Sequence, residues 1–269
     1  MTSQKQELHL FSGNAIIPHK SLTKSHLFTT ISHVQGTSPT WLVNYLIDNA
    51  LYDTCLLNEG QSTRSSVKSG VVFISLINDS KTYEAGLKKL GVDLKSIPQF
   101  QFIDLFTDLF TKVQPQEPQS IAKLFDSEVF PHISKTKKPI IFIEGLELLL
   151  LSTQITSIQL LGYLSQLTSL SKSLFLITPS DSELHDITTI NTQSSRQHQY
   201  HDFLIRVLHR TNLNIALRPL STGKAKDVTG TLTISRGSVP FEGLDGLEIL
   251  EREYLYLVSR DNSVKLFFR

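Results

Sequence analysis

Leu27-Phe28-Thr29-Thr30-Ile31-Ser32, then His33-Val34-Gln35-Gly36-Thr37-Ser38-Pro39, then Thr40-Trp41-Leu42, is the stretch on which the fold turns. The first six residues are a short apolar and β-branched run, the signature of a strand. Gly, Ser and Pro mark a turn between His33 and Pro39. From Thr40 the spacing changes: Trp41, Leu42, Tyr45, Leu46 and Asn49 recur at helical intervals, which predicts a helix to about Leu51. Ser38 is placed to cap its free N–H groups, and Pro39 suits its first turn.

The same alternation continues downstream. Residues 58–69 have no buried face and read as an exposed loop, and Val71 to Ile77 is a nearly continuous apolar strand of the kind covered on both sides. Ser80 to Leu90 reads as a helix stopped by Gly91, and Phe100 to Phe106 as a strand or the start of a helix. After the break at Gln114 to Gln119, Ile121 to Ile133 is an amphipathic helix. Pro139 to Ile143 is the clearest strand and ends on Glu144-Gly145; a helix over 156–170 and a strand at Leu174 to Thr178 follow. Buried-type strands joined by long crossovers predict an α/β fold with a mainly parallel sheet flanked by helices.

The last third differs. Asn214 to Leu220, Val228 to Ser235, Tyr254 to Val258 and Val264 to Phe268 are strand-like with short connections, which predicts an antiparallel C-terminal extension. Residues 179–199 between the two parts are polar and aperiodic, a long loop of functional type.

Composition excludes several classes. The chain has 269 residues, 40% of them hydrophobic, enough for a substantial core and against disorder. A single domain over 1–269 is the first expectation. Its 26 basic and 25 acidic residues nearly cancel, so a polyanion would have to be drawn by a local patch. The one cysteine, Cys55, can form neither an internal disulfide nor a multi-cysteine metal site, which suits a reducing compartment. No apolar segment approaches the ~20 residues needed to span a bilayer, so a soluble intracellular protein without membrane contact is expected.

A strand, loop and helix followed about a hundred residues later by an apolar strand ending in an acid is the layout of a P-loop nucleoside triphosphatase. That chemistry needs GxxxxGK[ST]: glycines to let N–H groups wrap phosphates, a lysine for their charge and a hydroxyl for magnesium. Residues 33–41 have one glycine, no lysine and a proline where an N–H is wanted. A Walker A motif is therefore missing and autonomous ATP hydrolysis is not expected. Glu144 holds the Walker B place, but acids at exposed strand ends are commonplace and it has no evident nucleotide to act on. Ser221 to Lys226 imitates a phosphate loop, yet Arg218 stands for the first glycine, Ala225 for the hydroxyl, and no helix follows; it reads as a basic hairpin loop. His198-x-x-His201 with His209 lacks the further ligands of a zinc site.

Arg196, Arg206, Arg210, Arg218, Lys224, Lys226 and Arg236 make the later part locally basic, a nucleic-acid footprint set against a solvated face balanced by Asp202 and Asp227. The carboxyl end, Tyr254-Leu255-Tyr256-Leu257 and Lys265-Leu266-Phe267-Phe268-Arg269, is unusually aromatic. It suits an edge strand of this chain's own sheet, or rings that also bury against a neighbouring subunit.

Gly223-Lys224-Ala225-Lys226-Asp227-Val228-Thr229-Gly230-Thr231-Leu232, Glu253 to Leu257 and Lys265 to Arg269 closely resemble the fungal Elongator complex protein 6 family. Weaker likeness runs through Leu8-x-Leu10-Phe11-Ser12, Leu27-Phe28, Pro39-x-Trp41 and Ile140 to Leu150, while residues 56–69 and 179–199 carry little of it. The resemblance implies a RecA-like fold without Walker A, in a heterohexameric ring with Elongator subunits 4 and 5. That ring associates with the catalytic subcomplex, binds tRNA and couples ATP to its release, with ATP at ring interfaces and no cofactor bound by this chain alone. The complex modifies wobble uridine of tRNA at C5, its radical and acetyl-CoA chemistry belonging to subunit 3, in the cytoplasm and nucleus. This chain is then an accessory subunit without catalytic residues. The resemblance does not by itself assign residues; from position and charge Arg196, Lys224 and Lys226 are the expected tRNA contacts, and from their aromatic and basic character at the carboxyl end Tyr254, Tyr256, Phe267, Phe268 and Arg269 the expected subunit interface. Two other readings remain open at this point: a nucleotide hydrolase or recombinase-like ATPase using Glu144 with a non-standard phosphate loop, and a scaffold whose sister subunits alone touch tRNA.

Overall fold

Val71-Val72-Phe73-Ile74 and Ile140-Ile141-Phe142-Ile143 leave no polar face to turn to water, and in the computed structural model both are strands buried on each side. The structure describes residues 5–19, 26–55, 57–58, 64, 66–181, 195–223, 225–241, 246–259 and 263–269. Nine strands join one sheet: β1 (Leu27–His33), β2 (Val71–Ser75), β3 (Phe100–Asp104), β4 (Ile140–Glu144), β5 (Ser173–Pro179), β6 (Leu213–Arg218), β7 (Gly230–Arg236), β8 (Arg252–Val258) and β9 (Val264–Phe268). Their order is β3-β2-β4-β5-β1-β6-β7-β8-β9. All pairings from β3 to β6 are parallel, and those from β6 to β9 antiparallel. The mainly parallel sheet with an antiparallel C-terminal extension stands as expected, with one refinement: β6 is parallel to β1 and begins the extension only on its other edge.

The helices are α1 (Thr40–Tyr52), α2 (Ser80–Lys89), α3 (Leu105–Lys112), α4 (Pro118–Leu124), α5 (Phe130–Ser134), α6 (Leu148–Ser152), α7 (Ser157–Leu170) and α8 (Arg196–Leu208). Alternate strand residues feed two cores. Val71, Phe73, Ile140, Phe142, Phe175 and Ile177 pack with α1 and α2, while Val72, Ile74, Ile141, Ile143, Leu174 and Leu176 pack with helices on the opposite face. On the first face Phe102, Phe73, Phe142 and Phe175 stand opposite one another across four strands. Their centroids lie 5.5, 6.1 and 4.7 Å apart with nearly parallel rings. Such cross-strand contacts hold the register, because a one-residue slip would turn each ring to the other face.

Local chemistry sets the boundaries. Thr156 and Gln159 form a reciprocal capping box at α7. Asp79, Asp104 and Ser195 accept from the third residue of α2, α3 and α8. α1 ends where Asp53 takes a left-handed conformation, φ 58°. Phe100 to Phe106 is both things at once, a strand to Asp104 and a helix from Leu105. The expected helix from Ile121 to Ile133 is interrupted by a π-helical turn at Phe125–Val129 just before Pro131, whose missing N–H breaks the regular ladder. α1 starts after Pro39 with no side-chain cap bond; Ser38 Oγ accepts from Thr40 N at 3.4 Å and donates to Thr40 Oγ1 at 3.1 Å. No helix among the described residues is long and apolar enough to cross a membrane.

Candidate functional site

The carboxyl ends of β2, β4, β5 and β1 form one edge, because Ser75 pairs with Glu144, Glu144 with Ile177, and His33 with Pro179. In open α/β sheets this is where ligands are received. Three N–H groups of the loop leaving β1 are already engaged. Thr37 N donates to Val34 O (3.0 Å), Val34 N to Thr37 Oγ1 (3.2 Å) and Thr37 Oγ1 back to Val34 O (2.7 Å). Gln35 N donates to the carboxylate of Asp181 at 2.7 Å. One amide of a loop shaped to face an anion therefore already holds an anion of the same chain. Gly36 keeps a positive φ of 85° with open space where a side chain would stand. Pro39 offers no N–H, and no lysine is present to balance phosphate charge. Beside the loop, burial lowers the pKa of His33, with Asp181 opposing and Arg218 adding to the shift. Arg218 is itself lowered by burial against the pull of Asp181.

Glu144 is not the exposed strand-end acid expected from its position. It is 4% exposed. Its Oε1 accepts from Ser75 Oγ (2.5 Å) and Asn78 Nδ2 (3.1 Å), and its Oε2 from Tyr83 OH (2.5 Å). Ser75 Oγ in turn accepts from the backbone N–H of Ile77 and Asn78. The carboxylate ties the β2–α2 turn to the end of β4, and both of its oxygens are engaged. Burial first, then the Glu144 charge, pushes the Tyr83 phenol far above its ordinary value. Burying a carboxylate is tolerated when each oxygen is bonded in this way.

Glu147 was missed. It is 2% exposed, and Thr178 Oγ1 donates to its Oε2 at 3.4 Å. Burial pushes its carboxyl up to about 7, the hydrogen bonds opposing weakly and the charge of Glu144 adding. The available signal was an acid between Leu146 and the run Leu148 to Leu151, of which Leu146, Leu149 and Leu150 are buried.

The basic candidates are spread out. Arg196 is exposed at the start of α8 and donates Nη1 to Leu151 O at 2.9 Å. Lys226 is exposed in the connection between the antiparallel strands β6 and β7, the expected basic hairpin loop; Lys224 lies outside the described residues. Arg206 is neutralised by Asp202, and Arg236 reaches Glu248 and Glu251 at 4.0 Å. Most of residues 179–199 also lie outside the described part, although α8 begins at Arg196. Among the described residues no three His, Cys, Asp or Glu side chains gather as a metal set.

Two aromatic interface candidates are corrected. Tyr254 and Tyr256 are 0% and 1% exposed within this chain, Tyr254 stacked on Phe268 and Tyr256 packed on Trp41 at 5.1 Å. They alternate inward along β8, so their rings offer nothing to a neighbour. Phe267 is half-buried and Phe268 exposed, Arg252 lies over the Phe268 ring, and Arg269 pairs with Glu253.

Comparison with known proteins places this geometry. No family model matches the chain. It is 31% identical over 277 residues to Elongator complex protein 6 of Saccharomyces cerevisiae, an alignment spanning 99% of this chain and 98% of that protein. Among solved structures, flagellar accessory protein FlaH from Methanocaldococcus jannaschii superposes with a TM-score of 0.56 at 10% identity, covering 93% of this chain and 94% of the other. A KaiC-like protein from Pyrococcus horikoshii gives a TM-score of 0.45 at 11% identity, covering 90% and 89%. The fold is RecA-like.

Proposed function

Because this chain belongs to the Elongator complex protein 6 family, we propose that it is a non-catalytic subunit of a RecA-like heterohexameric ring with Elongator subunits 4 and 5. In this reading the ring associates with the catalytic subcomplex in cytoplasm or nucleus, binds tRNA and supports modification of wobble uridine at C5. The single observation that carries the non-catalytic part is the hydrogen bond from Gln35 N to Asp181, which fills with an internal carboxylate the place where a phosphate would be gripped. Glu144 supports it, since Ser75, Asn78 and Tyr83 already take three of the roughly four acceptor positions of its carboxylate and hold it in the β2–α2 turn. Any ATP then sits at ring interfaces, held by groups of the sister chains.

Exposed Lys226 and Arg196, with Lys224, are the groups through which this chain meets tRNA phosphates. Phe267, Phe268 and Arg269 on the outer edge of the sheet are its subunit contacts. Co-purification with and without subunits 4 and 5, combined with ATP turnover by the isolated chain, tests the reading. A stable ring and no turnover above background are expected. A monomer indifferent to both partners, or turnover abolished by Glu144→Gln, overturns it.

A further inference from the structure

Charge is sorted along the strands of the parallel sheet. At its amino edge Val71, Ile140, Ser173 and Leu27 start in one row, and Leu213 of β6 enters opposite Thr29. The connections that lead from the helices into β4, β5 and β6 read Lys135-Thr136-Lys137-Lys138-Pro139, Ser171-Lys172 and His209-Arg210-Thr211-Asn212. They hold no acid. Lys68 stands at the same edge ahead of β2, where its backbone N–H donates to Leu51 O near the end of α1 (2.6 Å). The carboxyl edge has the opposite character, with Asp79, Asp104, Glu144, Glu147 and Asp181 at the strand exits against Arg218. A chain whose formal net charge is only +1 thus has a basic rim and an acidic one.

The basic rim is left unpaired. Lys68, Lys135, Lys137, Lys138 and Arg210 are exposed and Lys172 is half-buried. Among the described residues none of the six has a carboxylate within 4.0 Å. Burial lowers the pKa of Lys172, and Asp53 at the end of α1 opposes the shift. On the antiparallel extension the same edge neutralises itself, Arg236 reaching Glu248 and Glu251, and Arg269 pairing with Glu253. Lys138 also carries strain: its φ is 45°, in the left-handed region and immediately before a proline. Such conformations are held at a cost and gather at binding sites. Between the basic residues of these connections stand Ser, Thr, Asn and Pro, with no Leu, Ile, Val, Met, Phe, Tyr or Trp. Protein interfaces bury an apolar centre and are depleted in lysine, whereas nucleic-acid interfaces are polar and strongly positive. From β2 to β6 the rim spans four strand spacings, about 19 Å, enough to face roughly five phosphates along one strand of a helix. We infer that the amino edge of the parallel sheet binds the phosphodiester backbone of a nucleic acid, on a surface separate from the β6–β7 connection at the opposite edge.

The test titrates labelled tRNA, and single-stranded DNA of equal length, with the full chain over a salt series, read by fluorescence anisotropy. Binding of either supports the rim, and the tighter of the two names the source of the phosphates. When Lys137→Glu and Lys138→Glu are combined, Kd is expected to rise about tenfold and the slope of log Kd against log salt to fall by about two. A charge-matched pair of exposed lysines outside the rim, Lys81→Glu with Lys123→Glu, should move Kd by less than about threefold. Lys138→Gly separates a binding role from a structural one. It should melt no lower than the parent, since glycine fits φ 45°, and yet bind several-fold more weakly. No binding of either nucleic acid at about 50 mM salt would overturn the proposal. So would an equal loss in the control pair, unaltered binding in Lys138→Gly, or displacement of tRNA by polyglutamate at equal charge. The proposal shares only tRNA with the proposed function, and the chain is tested alone. A ring that assembles and holds tRNA while the rim fails therefore sinks this inference only, and a rim that binds while no ring forms sinks only the other.

Discussion

Two carboxylates one turn apart behave in opposite ways. Glu144 is buried and bonded at both oxygens, so removing a donor should be costly: Tyr83→Phe leaves Oε2 unpaired and is expected to lower stability by about 2 kcal/mol in urea unfolding. ATP turnover should stay at background in that variant. Glu147 is buried with a long bond from Thr178, and burial raises its folded pKa to about 7. A carboxyl whose folded pKa lies above its unfolded value binds its proton more tightly in the native state. Its contribution is complete below the ordinary carboxylate range and is lost as pH rises through about 7, a swing on the order of 3 kcal/mol. Glu147→Gln is therefore expected to flatten stability between pH 4.5 and 8 and to exceed the parent chain at the upper end. Chemical denaturation at a series of pH values reads both curves, and parallel curves would show that the side chain is not buried as described.

At the scale of elements, the basic connection between β6 and β7 and the cap of α7 give separate tests. Replacing Lys224 and Lys226 by Glu should weaken tRNA binding by the assembled ring and reduce the slope of log Kd against log salt by roughly one to two, with assembly intact. An unchanged salt titration would remove this loop from the tRNA surface. Thr156→Ala, which opens the capping box of α7, should cost about 1 kcal/mol in the same unfolding assay. The strands were legible because Val71 to Ile74 and Ile140 to Ile143 are apolar on both faces, and α7 because its period and cap agree. α3 was not legible, since Asp104 ends β3 and caps the helix with no turn residue between them. The missing phosphate cradle could be read from absent glycines and lysine. Its occupant could not, because Asp181 lies 146 residues from Gln35 and only the sheet brings them together.

For the whole molecule, the segment before β1 matters more than its composition suggests. Leu8, Leu10 and Phe11 are fully buried in the core that holds α1, and Gln6 and Phe11 bridge to Leu266 and Ile249. Their burial is decided by a surface built from distant parts of the chain, which is why local pattern left them unassigned. Removing residues 264–269 takes away β9, the partner of both β8 and Gln6. The shortened chain is expected to unfold at lower urea, with Trp41 emission shifted to the red as its Tyr256 neighbour loosens; an unchanged transition would mean that β9 is dispensable. The position of β1 has a consequence for how the protein is made. It lies between β5 and β6, so Leu27 waits for Ser173 and Thr29 for Leu213. On the ribosome this strand is made early and stays without either neighbour until about two-thirds of the polypeptide has been translated, and without β6 until about four-fifths. A newly made copy therefore carries an unpaired apolar strand through most of its synthesis, and its yield in a cell depends on whatever chaperone shields that strand in the interval.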